Sequence, residues 1–371
     1  MNELMNFFST HWKSRPMKPH RRFALLAFAL GSAAFSVAQA ATLGYIYVGP
    51  EKDYGYNTSM DLGRRYVEKN MPGTKTLHVE NIPETAEVEK VMERMITQGG
   101  ASIIFATSYG YLDYAIALGK KYPKVTFLHA GGLKNSDNVG TYWANSDDAM
   151  YLAGMAAGAV SKSGKLGFIA AFPIPQVVRS INAFTLGAQA MNPAATTTVV
   201  WTGGWLQPPK EAEATNSLAD AGIDVIGEQV DSPMTIAQTA EKRGIHMVGK
   251  DVDVSKLAPK AVLTGASWNW GPTMLQLTKE IQAGTWKASH VRGDMKDGTV
   301  VLDPFGPAVP EGVRKIVLAK KGEILNNNFV VWSGPMAAQD GKAILPAGAR
   351  MPMEQLESMN FFVKGVVGTV Q

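Results

Sequence analysis

The residues best suited to chemistry stand directly behind short apolar runs. Asp53, Tyr54, Tyr56 and Asn57 follow the first such run, and Ser108 and Tyr109 follow another. Phe172, Trp205, Asp231, Asp251, Asp253 and the Ser267–Trp270 stretch follow later ones. Carboxylates, amides and hydroxyls make directed hydrogen bonds, and aromatic rings offer flat apolar faces. Together they suit a planar heterocycle held by stacking and by contacts along its edges. The candidate ligand-binding residues are Tyr56, Asn57, Tyr109, Phe172, Trp205, Asp231, Asp251 and Trp268. The plainer reading is that loops are polar in any protein and that Asp53 and Asn57 merely cap the next helix. Recurrence of the pattern behind nearly every run favours binding.

Signatures of catalysis are missing. No Gly-x-Gly-x-x-Gly follows the first run, which argues against a dinucleotide site. Gly158–Lys165 resembles a phosphate loop only superficially, because Leu166 stands where Ser or Thr is needed. No Gly-x-Ser-x-Gly elbow occurs. His78, His129, His246 and His290 lack metal-ligand spacing, and His129 and His246 read as packing residues within strands. Asp251 and Asp253 would share one face of a strand, the one hint of a carboxylate pair for hydrolysis. The expectation is ligand capture with no catalytic residue, cofactor or metal. The rivals are an exported nucleoside-processing enzyme and a ligand-sensing partner of a receptor.

The elements that must position these residues alternate. Strand-like runs are Leu43–Val48, Lys75–Val79, Ser102–Thr107, Val125–His129, Lys165–Ala170, Thr197–Trp201, Asp224–Gly227, His246–Gly249 and Ala261–Thr264. Most are continuously apolar, as strands buried on both faces are. Helical patterns lie between them. Glu84–Gln98 sets Val88, Val91, Met92 and Ile96 on one stripe. Tyr111–Lys121, Asp147–Lys162, Gln176–Met191, Pro209–Ala221 and Met234–Arg243 continue the series. Such alternation predicts parallel sheets covered by helices. In such sheets ligands sit beyond the carboxyl ends of the strands, where the polar and aromatic residues fall. The pattern restarts at Lys165, so two similar lobes are expected. Beyond Gly284 it weakens, with a strand at Phe329–Val331 and a terminal helix over Met353–Val367.

The first forty residues read as a secretory leader: Lys13, Arg15, Lys18, Arg21 and Arg22, an apolar run Phe23–Val37, then Ala38-Gln39-Ala40. Met17 is an alternative start. The chain has 36 basic and 32 acidic residues. The leader holds five of the basic and one of the acidic residues, which leaves 31 of each. The basic pI therefore belongs to the leader and implies neither nucleic acid nor an anionic membrane as partner. Cysteine is absent, so an exported chain would lack disulfides and a lipid-bearing N-terminal Cys. A periplasmic chain cleaved after Ala40, without a membrane anchor and monomeric, is expected.

The strand ends also carry a family likeness. Tyr45–Pro50 with Asp53–Asn57, Ala106–Tyr111, Tyr151–Gly154, Gly167–Ile169 with Ile174-Pro175, Gly249–Asp253, Ser333–Pro335 and Gly365–Gly368 occur in that order. In these the chain resembles the basic membrane protein (BMP) family of ABC-transporter substrate-binding proteins, the purine nucleoside receptor type. The resemblance implies an α/β, two-lobed periplasmic-binding-protein fold of type I. Each lobe would be a parallel sheet sandwiched by helices, with a hinge of three crossings. One lobe would hold residues 41–145 with about 268–295, the other 146–267 with about 296–371. It implies a purine in the cleft and an ABC permease as partner. By the resemblance Tyr56 and Asn57 would lie against the base, Tyr109 and Phe172 would stack, and Asp231 and Asp251 would face the ligand from the second lobe. Nucleoside-binding members usually carry a Lys near the sugar where this chain has Ser267-Trp268-Asn269-Trp270. That departure favours a free nucleobase over a nucleoside.

Overall fold

The apolar runs bounded by Gly, Pro and Asp become strands. The computed structural model describes residues 41–370; the leader and its cleavage site lie outside them. The first strands and helices are β1 (Thr42–Ile46), α1 (Tyr56–Asn70), β2 (Lys75–Val79), α2 (Ala86–Thr97), β3 (Ala101–Ala106), α3 (Leu112–Lys121), β4 (Thr126–Ala130) and β5 (Val139–Ala144). Next come α4 (Asp147–Val160), β6 (Lys165–Ala170), α5 (Pro175–Met191), β7 (Thr196–Trp201), α6 (Pro208–Asp220), β8 (Val225–Gln229), α7 (Pro233–Arg243), β9 (His246–Asp251) and β10 (Val262–Trp268). The remainder is α8 (Trp270–Gln282), β11 (His290–Gly293), β12 (Val300–Leu302), α9 (Glu311–Leu325), β13 (Met336–Ala337), β14 (Ala343–Leu345), α10 (Met353–Glu357) and β15 (Val366–Val367).

Two sheets result. The first runs β11-β5-β4-β3-β1-β2 and the second β12-β10-β9-β8-β6-β7-β15. Pairing within them is parallel except where β12 runs against β10. The chain passes from the first sheet to the second between β5 and β6. It returns between β10 and β11 and crosses again before β12, giving a hinge of three crossings. Helices cover both sheets, as the α/β reading expected. The helices α4 and α5 pack closely; a Cβ on Gly187 would collide with the Tyr151 carbonyl oxygen, so that approach needs a glycine.

Some elements were not legible. The strand β5 begins Val-Gly-Thr and follows the polar Asn135–Asn138 stretch, so it read as loop. The helix α8 was hidden by the tryptophans at its start. The expected helix over Met353–Val367 is one short turn, α10. The backbone then extends through Gly365 at φ 98°, and β15 pairs with β7. Phe329–Val331 is no strand. Its phenyl ring packs on Tyr151 and under the Lys320 ammonium.

Candidate functional site

The carboxyl ends of the two sheets converge on one cavity. The free space in that cavity is about 40 Å³, so its walls stand close together. From the first lobe it is lined by Val48, Tyr56, Ser108, Tyr109, Ala130 and Trp143. The second lobe contributes Ile174, Gln176, Trp205, Gln229, Val230, Asp231 and Asp251, and Trp268 lines it from the end of β10, at the crossing between the lobes. Six of the eight residues singled out from sequence thus face the cavity: Tyr56, Tyr109, Trp205, Asp231, Asp251 and Trp268.

The other two stand behind it. Phe172 is not in the lining; its ring meets Trp205 edge-on at 5.3 Å, so Trp205 presents the face and Phe172 supports it. Asn57 is fully buried. Its Nδ2 donates to Asp53 Oδ2 at 2.7 Å and to Asp231 Oδ2 at 3.1 Å, while its Oδ1 accepts the Gly49 N–H at 3.3 Å. Both amide protons are therefore committed, and Asn57 ties α1 of the first lobe to the loop after β8 of the second. Asp53 accepts from the Gly55, Asn57 and Thr58 N–H groups at 2.8–2.9 Å. These are orphan donors of the α1 N-terminus, so Asp53 caps it. Gly55 permits this closure: a Cβ there would strike the Asp231 carbonyl oxygen and approach Pro233 Cδ to 2.7 Å. Gln176, at the start of α5, makes a second bridge by donating to the Gly131 carbonyl at 3.1 Å.

The aromatic wall is a connected cluster. Tyr56 donates its hydroxyl to the Thr107 carbonyl and meets Trp268 edge-on at 5.7 Å. Trp143 meets Trp268 at 4.8 Å. Tyr109 stays 37% exposed, which places it at the mouth. Trp205, Trp268, Gln176 and Gln229 each keep a buried polar atom without a protein partner. Such atoms are costly unless something meets them.

Electrostatics divide the two carboxyl groups. Burial pushes Asp231 well above the carboxylate range, and Asp53 and Asp251 reinforce the shift. Burial also lifts Asp251, but the neighbouring Lys250 ammonium opposes it and the group settles at about 6. Of the two, Asp231 holds its proton the more readily, so the pair can set a donor beside an acceptor. Asp251 holds φ at 74°, a left-handed conformation that costs of order 1–3 kcal/mol in a non-glycine residue and clusters at functional sites. Lys250 is itself fully buried. Its Nζ lies 3.1 Å from Asp251 Oδ1 and 3.4 Å from the Trp268 ring centroid.

Sequence reasoning missed Trp143, Gln176 and Gln229 in the lining and Lys250 behind it. Trp143 sits in the unrecognised β5. Gln229 ends β8 two residues before Asp231, and that nearness was the available signal. Elsewhere, Glu51, His78 and Glu80 bring ligand-type atoms within 4.8 Å of one another. Mutual contacts account for them: Glu51 lies 3.5 Å from His78 and 3.6 Å from Arg65, and its N–H reaches Glu80 at 2.8 Å.

Two parallel-sheet lobes with a three-crossing hinge and a cavity between their strand ends define the type I periplasmic-binding fold. A solute-binding protein of an ABC transporter system from Aeropyrum pernix shares it, with a TM-score of 0.70 at 15% identity over 78% of this chain and 93% of that one. The chain belongs to the PnrA-like family of ABC transporter substrate-binding proteins, whose model matches residues 40–331. A purine-binding protein of Brucella abortus is 37% identical over 340 residues, 91% of this chain and 96% of that protein. A Haloferax volcanii protein, described provisionally as an ABC transporter glucose-binding protein, is 33% identical over 90% of this chain and 82% of its own. The chain is thus an ABC transporter substrate-binding protein. Among the described residues no helix is long and apolar enough to cross a membrane.

Proposed function

We propose that this chain captures a purine, a free nucleobase in preference to a nucleoside, and hands it to an ABC permease. The observation that carries the reading is the meeting of Asp231, Asp251 and a wall of tyrosine and tryptophan in one cavity between the lobes. A purine base is flat and carries N–H donors beside ring-nitrogen acceptors. The Asp251 carboxylate suits the donors, Asp231 when it holds its proton suits an acceptor, and the rings suit the faces. The purine named for the Brucella abortus relative supports the same class.

Preference for the base rests on Trp268 and Lys250. The indole of Trp268 lines the cavity, and the Lys250 ammonium is held behind it, outside the lining; in this reading a sugar on the base would extend toward that indole. A ribose there meets carbon where its hydroxyls need partners, at about 1–3 kcal/mol for each buried group left unpaired. The lobes of this reading are residues 41–145 with about 268–295 and 146–267 with about 296–371. They close on the ligand to form the surface that the permease recognises. The leader, residues 1–40, directs a monomer without a membrane anchor to the periplasm.

Calorimetry against adenine, guanine, hypoxanthine, their nucleosides, glucose and amino acids tests the class. Purines should bind, while glucose and amino acids should give no heat; saturable glucose binding with silent purines overturns the reading. Chromatography of nucleosides incubated with the protein checks the enzymatic rival. Released base that accumulates with time would establish turnover.

A further inference from the structure

A lysine with no exposed surface is rare, because burying an ammonium is costly unless it is compensated. Lys250 is such a residue, and it stands one position before Asp251 in the strand that ends at the cavity. Its Nζ is set between two groups that do face the cavity, the Asp251 carboxylate at 3.1 Å and the Trp268 indole at 3.4 Å from the ring centroid. Lys250 itself does not line the cavity. A buried lysine that touches two lining residues and no ligand space has a supporting part to play.

We infer that Lys250 is a positioning residue for ligand capture: its ammonium keeps the Asp251 carboxylate ionised and seats the Trp268 indole as a fixed wall. The inference rests on the reading of the cavity as a purine site. Among the groups that shift Asp251, Lys250 is the one that lowers it. Around the Lys250–Asp251 pair are Glu228 from β8, Asp303 beyond β12, Asp253 beyond β9, Asp231 beyond β8, Asp53 before α1 and the Tyr56 phenol of α1. Each of these is an acid, and Asp53 pushes the Asp251 carboxyl upward as burial does. Lys250 is the cation among them. The ammonium also sits over the indole face, where cation–π attraction favours a single ring orientation.

The test is the pH profile of adenine affinity for the whole mature protein, wild type against Lys250→Met, which keeps the chain length and removes the charge. Wild-type affinity should rise with pH through a midpoint near 6, where Asp251 ionises. In Lys250→Met the midpoint should move up by about one and a half to two units. Affinity should then be roughly four- to tenfold weaker at pH 7 and recover by pH 9. A lysine that served packing alone would lower affinity equally at every pH and leave the midpoint in place; that result overturns the inference.

The second arm is Asp251→Asn with and without Lys250→Met. This double variant carries no buried charge of the pair and so remains informative if Lys250→Met alone does not fold. With Asp251 already neutral, removing Lys250 should change affinity by less than about threefold. A loss as large as in the wild-type background overturns the inference. If wild type binds no purine, the reading of the cavity fails and this inference falls with it. If wild type binds and the midpoint does not move, the inference alone fails.

Discussion

Replacing Asp251 by Asn separates its charge from its shape. Asn tolerates the left-handed φ of 74° that would strain Ala, and it keeps one acceptor oxygen. Hydrogen bonds to a charged group contribute about 1.5–3 kcal/mol against about 0.5–1.5 for neutral pairs. The difference, of order 1–1.5 kcal/mol, corresponds to roughly tenfold in affinity. Asp251 is 2% exposed, so water screens little of it. The wild-type carboxyl titrates at about 6, and a ligand that needs the ionised form should bind about tenfold more weakly at pH 5 than at pH 7.5. Calorimetry with adenine at both pH values measures each effect. Asp251→Asn should lose roughly tenfold at pH 7.5 and lose the pH dependence. Affinity within about twofold of wild type at both values would refute the claim that Asp251 meets the ligand as a carboxylate.

Trp268→Ala opens the space beside Lys250 and should weaken adenine by roughly tenfold while narrowing the gap between adenine and adenosine; competition assays read both, and an unmoved ratio removes Trp268 as its cause. Gly55→Ala blocks the approach to Asp231 and Pro233. It should cut affinity by roughly tenfold or more by depleting the closed state, with the ligand-free Tm nearly unchanged. A large drop in Tm would mean that the contact holds the fold instead. The ligand-free protein should lose stability between pH 5 and pH 8. Asp148 and Asp251 are raised to about 6 and Glu211 and Asp303 to about 7, each chiefly by burial. Groups raised on folding bind protons more tightly in the folded state. Their contribution is full below the ordinary carboxylate value and lost as pH rises through 6–7. Asp61 and Asp224 are lowered and act oppositely at more acid pH; His129, lowered to about 4 by burial, also acts oppositely up to its ordinary value of 6.5, and the four raised acids outweigh it. Scanning calorimetry across that range checks the sign, and a rising Tm would contradict it.

The parallel-sheet architecture was legible because buried strands read as continuous apolar runs. The rule that ligands sit beyond their carboxyl ends then points at Tyr109, Trp205, Asp231, Asp251 and Trp268 together. Depth was not legible. Phe172 and Trp205 look equivalent in sequence, yet one backs the other. Asn57 reads as a ligand contact until its amide protons are seen to be committed to Asp53 and Asp231. Lys250 was passed over because a lysine is expected in water; its burial depends on Asp251 beside it in β9 and on Trp268 arriving from the neighbouring β10. Trp143 was lost with β5, whose Gly140 and polar approach break the apolar run.

The central claim is tested most directly by displacement of labelled adenine from the wild-type protein by adenosine. The account predicts that adenosine displaces adenine at least tenfold less effectively than unlabelled adenine does, as the proposed placement of Trp268 against the ribose requires. A tenfold preference for adenosine would contradict it.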